Sequence, residues 1–338
     1  MFRKYCVSAF FLALLLVASP FCEAQQAASG ESAISISASD RTRADVWQWF
    51  AAPPKDNTYG YVESLLRFGV AQKTHHWDWQ LELSQPAAFG LPDNAVSTVA
   101  AQGQLGLGGT YYASNADNTD PASAFLKQGF VRYHFKGADR TLRIGRFEFV
   151  EGQEMQAKNP TIGWLQANRV ANRLIGNFGF SNAQRSFDGL DAHYNGAGWD
   201  VTAMAARADQ GVFNMNGNPE LNVDVQYLAL TKSALKQHLL VRAFGIGYHD
   251  GRTGLTKTDN RALAVRAADH GNIRIATFGG DILAAIPAGR GQFDFLFWGA
   301  LQKGSWGTLG DSANAAAIEG GYQFGRLPAA PWLRGGWF

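Results

Sequence analysis

The sequence predicts an all-β fold, an antiparallel transmembrane β-barrel with about 14 strands in this chain. Three observations predict it. From about Ser35 onward, segments of roughly 8–14 residues alternate apolar and polar side chains, the period of a strand with two different faces. Short turns and long polar links then alternate strictly through the first ten strands, as when one rim carries tight turns and the other long loops. Beyond the first 24 residues no apolar run is long enough for a membrane-spanning helix.

The start of the chain is read apart from the rest. Arg3 and Lys4 precede an apolar run from Cys6 to Ala18, Ser19-Pro20 breaks it, and Ala24 suits cleavage, so 1–24 reads as a secretory signal peptide. Residues 25–338 then form the barrel. Both cysteines lie in the removed segment, so no disulfide holds the mature chain. Without Arg3, Lys4 and Glu23 that chain carries 28 basic and 27 acidic residues, a balance that gives no reason to expect nucleic acid as a partner.

The strands follow in order. Val62, Leu66, Phe68 and Val70 oppose Glu63 and Arg67, with Ser64 an exception. Trp77-Asp78-Trp79-Gln80-Leu81-Glu82-Leu83-Ser84 alternates without a break. Phe125, Val131, Tyr133 and Phe135 oppose Gln128, Arg132 and His134, and Lys127 interrupts the apolar face. Trp199, Val201, Ala203 and Ala205 oppose Asp200 and Thr202; Val223, Val225, Tyr227 and Ala229 oppose Asp224 and Gln226; Phe293, Phe295, Phe297 and Leu301 oppose Asp294 and Gln302. The segments at 140–149 and 237–249 alternate poorly. Apolar faces are expected next to lipid and polar faces next to water, because backbone groups in a bilayer are satisfied only in a closed sheet.

Tight turns are read at 72–75, 137–139, 196–198, 234–237 and His270-Gly271, with long links at 51–58, 86–123, 150–183, 209–221 and 250–258. The link at 150–183 is the notable one. It holds Trp164, Leu165, Leu174, Ile175, Phe178 and Phe180, too apolar for a disordered segment, and it presents Arg169, Arg173 and Arg185 with no acid between them. It reads as a folded loop that brings guanidinium groups to a passage.

Leu126-Lys127-Gln128, Leu142-Arg143-Ile144-Gly145-Arg146, Asn168-Arg169, Asn172-Arg173-Leu174-Ile175-Gly176-Asn177 and Arg185-Ser186-Phe187-Asp188-Gly189 resemble the alginate export family of bacterial outer-membrane channels. The resemblance runs from about residue 40 to the end. It implies a Gram-negative outer-membrane barrel, about 18-stranded in the family's founding members, whose arginine-lined lumen passes an anionic uronate polymer. The family pattern continues past a segment like Trp332-Leu333-Arg334-Gly335-Gly336, whereas this sequence stops at Phe338. A truncated member is therefore expected ahead of a smaller complete barrel.

The candidate path residues are Arg67, Arg132, Arg143, Arg146, Arg169, Arg173, Arg185 and Arg242, with Glu63, Asp78, Glu82 and Asp188 as lumen acids. Arg67 and Arg132 follow from alternation; Arg169, Arg173 and Arg185 follow from the loop and the resemblance. A guanidinium pairs two-pronged with carboxylate and keeps its charge, which suits a polyuronate. Equally, any of these arginines can brace the interior by pairing with a lumen acid such as Glu148, Asp191 or Asp200.

The remaining features point to no further chemistry. Asn115, Asp117, Asn118 and Asp120 match no dedicated calcium loop. His75-His76 reads as a solvated pair at a turn. Gly103–Gly109 does not join a strand to a helix as a phosphate cradle does. No cofactor or metal is expected, and no Gly-x-Ser-x-Gly element marks a nucleophile. The expected partners are outer-membrane lipid, an anionic polysaccharide or small anionic solute, and periplasmic export components. The competing expectation is an outer-membrane enzyme, a lipase or a polysaccharide-modifying hydrolase.

Overall fold

The computed structural model of the protein describes residues 33–48, 58–95, 104–136, 139–325 and 327–338. The signal peptide read over 1–24 and Gly103 of the glycine-rich stretch lie outside the described residues. Among the described residues thirteen strands form one sheet in which every strand pairs with its neighbours in sequence. They are β1 (Ile34–Gln48), β2 (Thr58–Lys73), β3 (Trp77–Phe89), β4 (Phe125–His134), β5 (Asp139–Phe147), β6 (Phe187–Gly196), β7 (Trp199–Asp209), β8 (Glu220–Ala234), β9 (Leu239–Asp250), β10 (Ile273–Ala288), β11 (Gly291–Trp306), β12 (Leu309–Gln323) and β13 (Trp332–Trp337). All neighbouring pairs are antiparallel. β1 and β13 stand at the two ends of the strand order. Among the described residues no helix is long and apolar enough to cross a membrane.

The poorly alternating segments at 140–149 and 237–249 are the strands β5 and β9. His270-Gly271 does not turn one strand into the next. It belongs to a connection from Gly251 to Asn272 that holds a short helix, α3 (Leu263–Ala268) in chain order, anchored by Asp269, whose carboxylate takes the Thr308 N–H at 3.0 Å and the Arg261 guanidinium at 2.8 Å. The other helices are α1 (Gly106–Ser114) and α2 (Pro160–Leu165).

One face of the sheet is covered and the other is bare. On the bare face Phe278 and Leu301 pair directly and are 66 % and 65 % exposed. Trp77, Leu81, Leu83, Val131, Ile144, Leu190, Trp199, Leu228, Phe293, Phe295 and Phe297 are exposed there too. So large and continuous an apolar surface is far outside what a water-soluble exterior tolerates. On β11 it runs from Phe293 to Leu301, roughly 26 Å at about 3.3 Å per residue, the height of a bilayer's apolar band. Aromatic rings collect at its short-turn end: Trp77 lies 4.6 Å from Tyr133, Tyr133 4.8 Å from Phe135, and Phe293 4.7 Å from Tyr322.

The covered face carries the core. The connection 148–186 folds against it and buries Phe149, Met155, Ile162, Leu165, Val170 and Ile175 with Tyr227, Leu240, Phe244, Ile246, Leu283 and Leu296 of the strands. α2 begins where it does because Asn159 caps it, accepting from the N–H groups of Thr161 and Ile162 at 3.0 and 3.3 Å, and Pro160 needs no donor at the first position. Gln166, at the start of the π-helical stretch that continues α2, donates to the Met155 carbonyl at 2.8 Å and accepts from the Ala157 N–H at 3.0 Å. Gly152 opens the loop at φ +91°, where a Cβ would meet Val170 at 2.9 Å.

Two expectations about faces are corrected here. Val223, Val225, Tyr227 and Ala229 are buried on the covered face, and Asp224 and Gln226 point to the bare one. The inserted loop makes the interior dry over β8, so apolar residues belong inside there; Tyr227 stacks edge-on with Phe149 at 5.2 Å. Lys127 does not spoil the lipid face. The register of β3 against β4 shifts between Glu82 and Leu83, and this bulge turns Lys127 inward, fully buried, 3.4 Å from Glu148.

Candidate functional site

The candidate passage is built where the inserted loop meets the covered face. Beneath it runs a lattice of charges placed by strand register. Arg67 on β2 reaches Glu82 on β3 at 3.1 Å and Glu148 at the root of the loop at 3.0 Å, and also donates to Gln184. Glu63 accepts from Arg43 at 2.5 Å. Asp78 sits 2.8 Å from His134 and 3.7 Å from Arg132. Arg143 pairs with Asp191 directly across from it on β6, its Nε at 3.1 Å.

Arg242 is the most buried of these arginines. Its guanidinium donates to Asp281 at 2.6 Å, to Glu151 at 2.6 Å, to the Tyr227 hydroxyl at 3.0 Å and to Glu154 at 3.4 Å, and all four charged side chains are at most 2 % exposed. Two of the carboxylates come from the loop and one from β10, so the cluster fastens the loop to the wall. Burial pushes the Glu151 carboxyl up to about 7, against the pull of Arg242.

The loop arginines divide. Arg169 is bidentate with Glu319 on β12, at 2.7 to 3.0 Å. Arg173 donates through Nε to the Arg169 carbonyl at 2.5 Å and lies 4.8 Å over the Trp298 ring. Arg185 donates to the Gly211 carbonyl at 3.4 Å and lies 5.2 Å over Phe178, and its buried Nε has no partner. Among the described residues neither Arg173 nor Arg185 makes an ion pair, and both are half-buried.

Arg146 and Asp188 stand apart from the other candidates. Their register positions share the bare face with Ile144 and Leu190, opposite the buried Phe147 and Phe187. They pair at 2.5 and 2.7 Å, and the rest of the Arg146 guanidinium binds the carbonyls of Leu126, Gly217 and Asn218 at 3.1, 3.1 and 2.9 Å. Every donor is spent, two of them on tying the connection 210–219 to the sheet. The expectation that these two line a lumen is thus corrected: strict alternation from Phe147 and Phe187 turns their neighbours outward.

Two residues of the site were not legible beforehand. Arg41 on β1 donates to the loop carbonyls of Gly179 and Ser181 at 3.0 and 2.8 Å. Asn182, fully buried, donates to the carbonyls of Ser64 and Ala87 at 3.0 and 2.8 Å, while its N–H donates to the Tyr111 hydroxyl at 2.7 Å. It locks the end of the loop to β2, β3 and α1 at once. Local sequence around either residue holds no signal for these partners. Among the described residues no group of three or more His, Cys, Asp or Glu side chains is arranged to hold a metal.

Comparison with known proteins gives a family. The alginate export family matches residues 92–336, and the chain belongs to it. No curated protein matches the sequence. Solved structures similar to the chain include OccK9 (OpdG) of Pseudomonas aeruginosa, at 9 % identity and a TM-score of 0.49, covering 86 % of this chain and 64 % of that one. OprB of Pseudomonas putida is similar at 13 % identity and a TM-score of 0.45, covering 90 % of this chain and 73 % of that one. This chain therefore spans less than two thirds of the length of the OccK9 chain.

Proposed function

We propose that this member of the alginate export family is an outer-membrane channel that passes an anionic saccharide or other anionic solute past guanidinium groups held on its inserted loop. One observation carries the reading. Arg67, Arg132, Arg143, Arg169 and Arg242 are engaged by acids, whereas Arg173 and Arg185 sit on the loop without an ion pair among the described residues. A braced arginine sets the shape of a passage; an unpaired one is available to a passing carboxylate. Trp298 under Arg173 holds its guanidinium plane by cation–π contact and leaves the outer edge of the fork free. The bare apolar face with its aromatic fringe fits a bilayer on the other side of the sheet.

The test is single-channel conductance of the full chain in planar bilayers, with reversal potential in a salt gradient. Anion-selective openings blocked by a polyuronate are expected. Arg173→Ala should weaken that block about tenfold, the order of a lost hydrogen bond to a charged group. Arg173→Lys, which keeps the charge and loses the fork, should fall between. Cation selectivity, or a block indifferent to Arg173, would refute the reading. Release of fragments from the polymer would show an enzyme instead.

A further inference from the structure

A row of polar side chains crosses the bare face near its long-connection end. Register places Asp188, Arg207, Asp224, His249 and Arg274 directly opposite one another on β6 to β10. Lys303 follows on β11, paired with Ala276, two residues along from Arg274. The early members of the row satisfy each other: Arg207 reaches Asp224 at 2.9 Å and Glu220 at 3.8 Å, and His249 lies 3.5 Å from Asp224. Arg274 and Lys303 are different. Both are exposed, and among the described residues neither side chain makes a hydrogen bond or ion pair.

Between them lies an open groove of about 570 Å³, bounded by Asp224 and His249 on the far side and floored in part by Gly247 and Ala276. Diagonal neighbours on paired strands stand within reach of one anion held between long side chains. The groove also has a fixed position. Phe278 and Leu301, the exposed apolar pair, come next on the same face, two residues from Ala276 and Lys303, which is about 7 Å along each strand.

We propose that Arg274 and Lys303 clamp the phosphate of a membrane lipid whose acyl chains lie against the apolar face below. The chemistry commits to a lipid. Two unpaired cations over an apolar wall match a headgroup that is anionic above and hydrocarbon below, whereas a free anion gains nothing from Phe278 and Leu301. Asp224 faces the groove as well, but its carboxylate is taken by Arg207 and His249, so the open side of the groove is cationic. The site lies on the opposite face of the sheet from Arg173. It rests on the membrane reading of the bare face but not on the solute.

The test is native mass spectrometry of the full chain in detergent with equimolar phosphatidic acid and phosphatidylcholine. Preferential retention of phosphatidic acid is expected, lowered about fivefold by Arg274→Gln or Lys303→Gln alone and about 25-fold by both. Arg140→Gln, a cation near the short-turn end that lies 5.2 Å over Tyr194, should leave retention unchanged. Equal retention by the double variant, an equal loss with Arg140→Gln, or displacement of the lipid by excess inorganic phosphate would each overturn the proposal. The single variants keep the test decisive should the double variant not fold. Retention is read without conductance, so a channel that lacks anion selectivity leaves this inference standing, and a chain that never enters micelles defeats both.

Discussion

Replacing Arg242 by Met tests whether the buried charge cluster fastens the loop. Met approximates the length of the arginine stem and keeps its apolar packing, giving up only the guanidinium that lies 4.8 Å over the Phe244 ring. What it removes is the only cation within ion-pair reach of Glu151, Glu154 and Asp281 among the described residues. Three buried acids then face one another unpaired. Removing one partner of a buried pair costs about 3–5 kcal/mol, most of it the desolvated charge left behind. The loss is expected in the loop first, because two of the three acids ride on it while Asp281 stays in the β10 ladder. Limited trypsin digestion reads this directly: cleavage after Arg169 and Arg173, slow in the parent, should accelerate by at least 100-fold, the factor that about 3 kcal/mol of local opening implies when opening is fast. Adding Glu151→Gln and Asp281→Asn to Arg242→Met should recover much of the protection, since the two neutral amides leave Glu154, to which the Tyr227 hydroxyl donates, as the one charge of the three still to desolvate. A digestion rate within threefold of the parent, or no recovery in the triple variant, would refute the view that charge compensation holds the loop.

Two further outcomes are expected. The folded-state carboxyl of Glu151 is raised above its ordinary range to about 7, so its contribution to loop docking is fully present below about pH 4.5 and is lost as pH rises through 7. Trypsin accessibility of the loop should therefore increase between pH 6 and pH 8 in the parent, and Glu151→Gln should flatten that profile. On the bare face, Phe297→Arg should destabilise the protein in a bilayer by about 2–4 kcal/mol and Ser305→Arg by no more than about 1, as depth dictates; urea unfolding in lipid vesicles compares them, and equal costs would deny that the bare face meets lipid.

The sequence by itself determined the strands, most of their faces and most of the connections between them, though not the one from Gly251 to Asn272. Period two is a local property: Trp77 to Ser84 can present four apolar and four polar side chains to opposite sides in only one backbone conformation. The content of the 150–183 link likewise announced a folded insertion, since Leu165 and Ile175 need a partner to bury against. Local pattern cannot say which side of a strand becomes the interior. On β8 the apolar side turns inward because Phe149 and the rest of the loop pack there, a contact between segments about 75 residues apart whose existence no window of alternation contains. The bulge at Lys127 shows the same limit, for one extra residue flips what precedes it. So do the arginines. Sequence gives each a fixed positive charge, but only the fold decides that Arg242 meets three acids, that Arg146 exhausts itself on the bare face, and that Arg173 is left with an aromatic ring and a free edge.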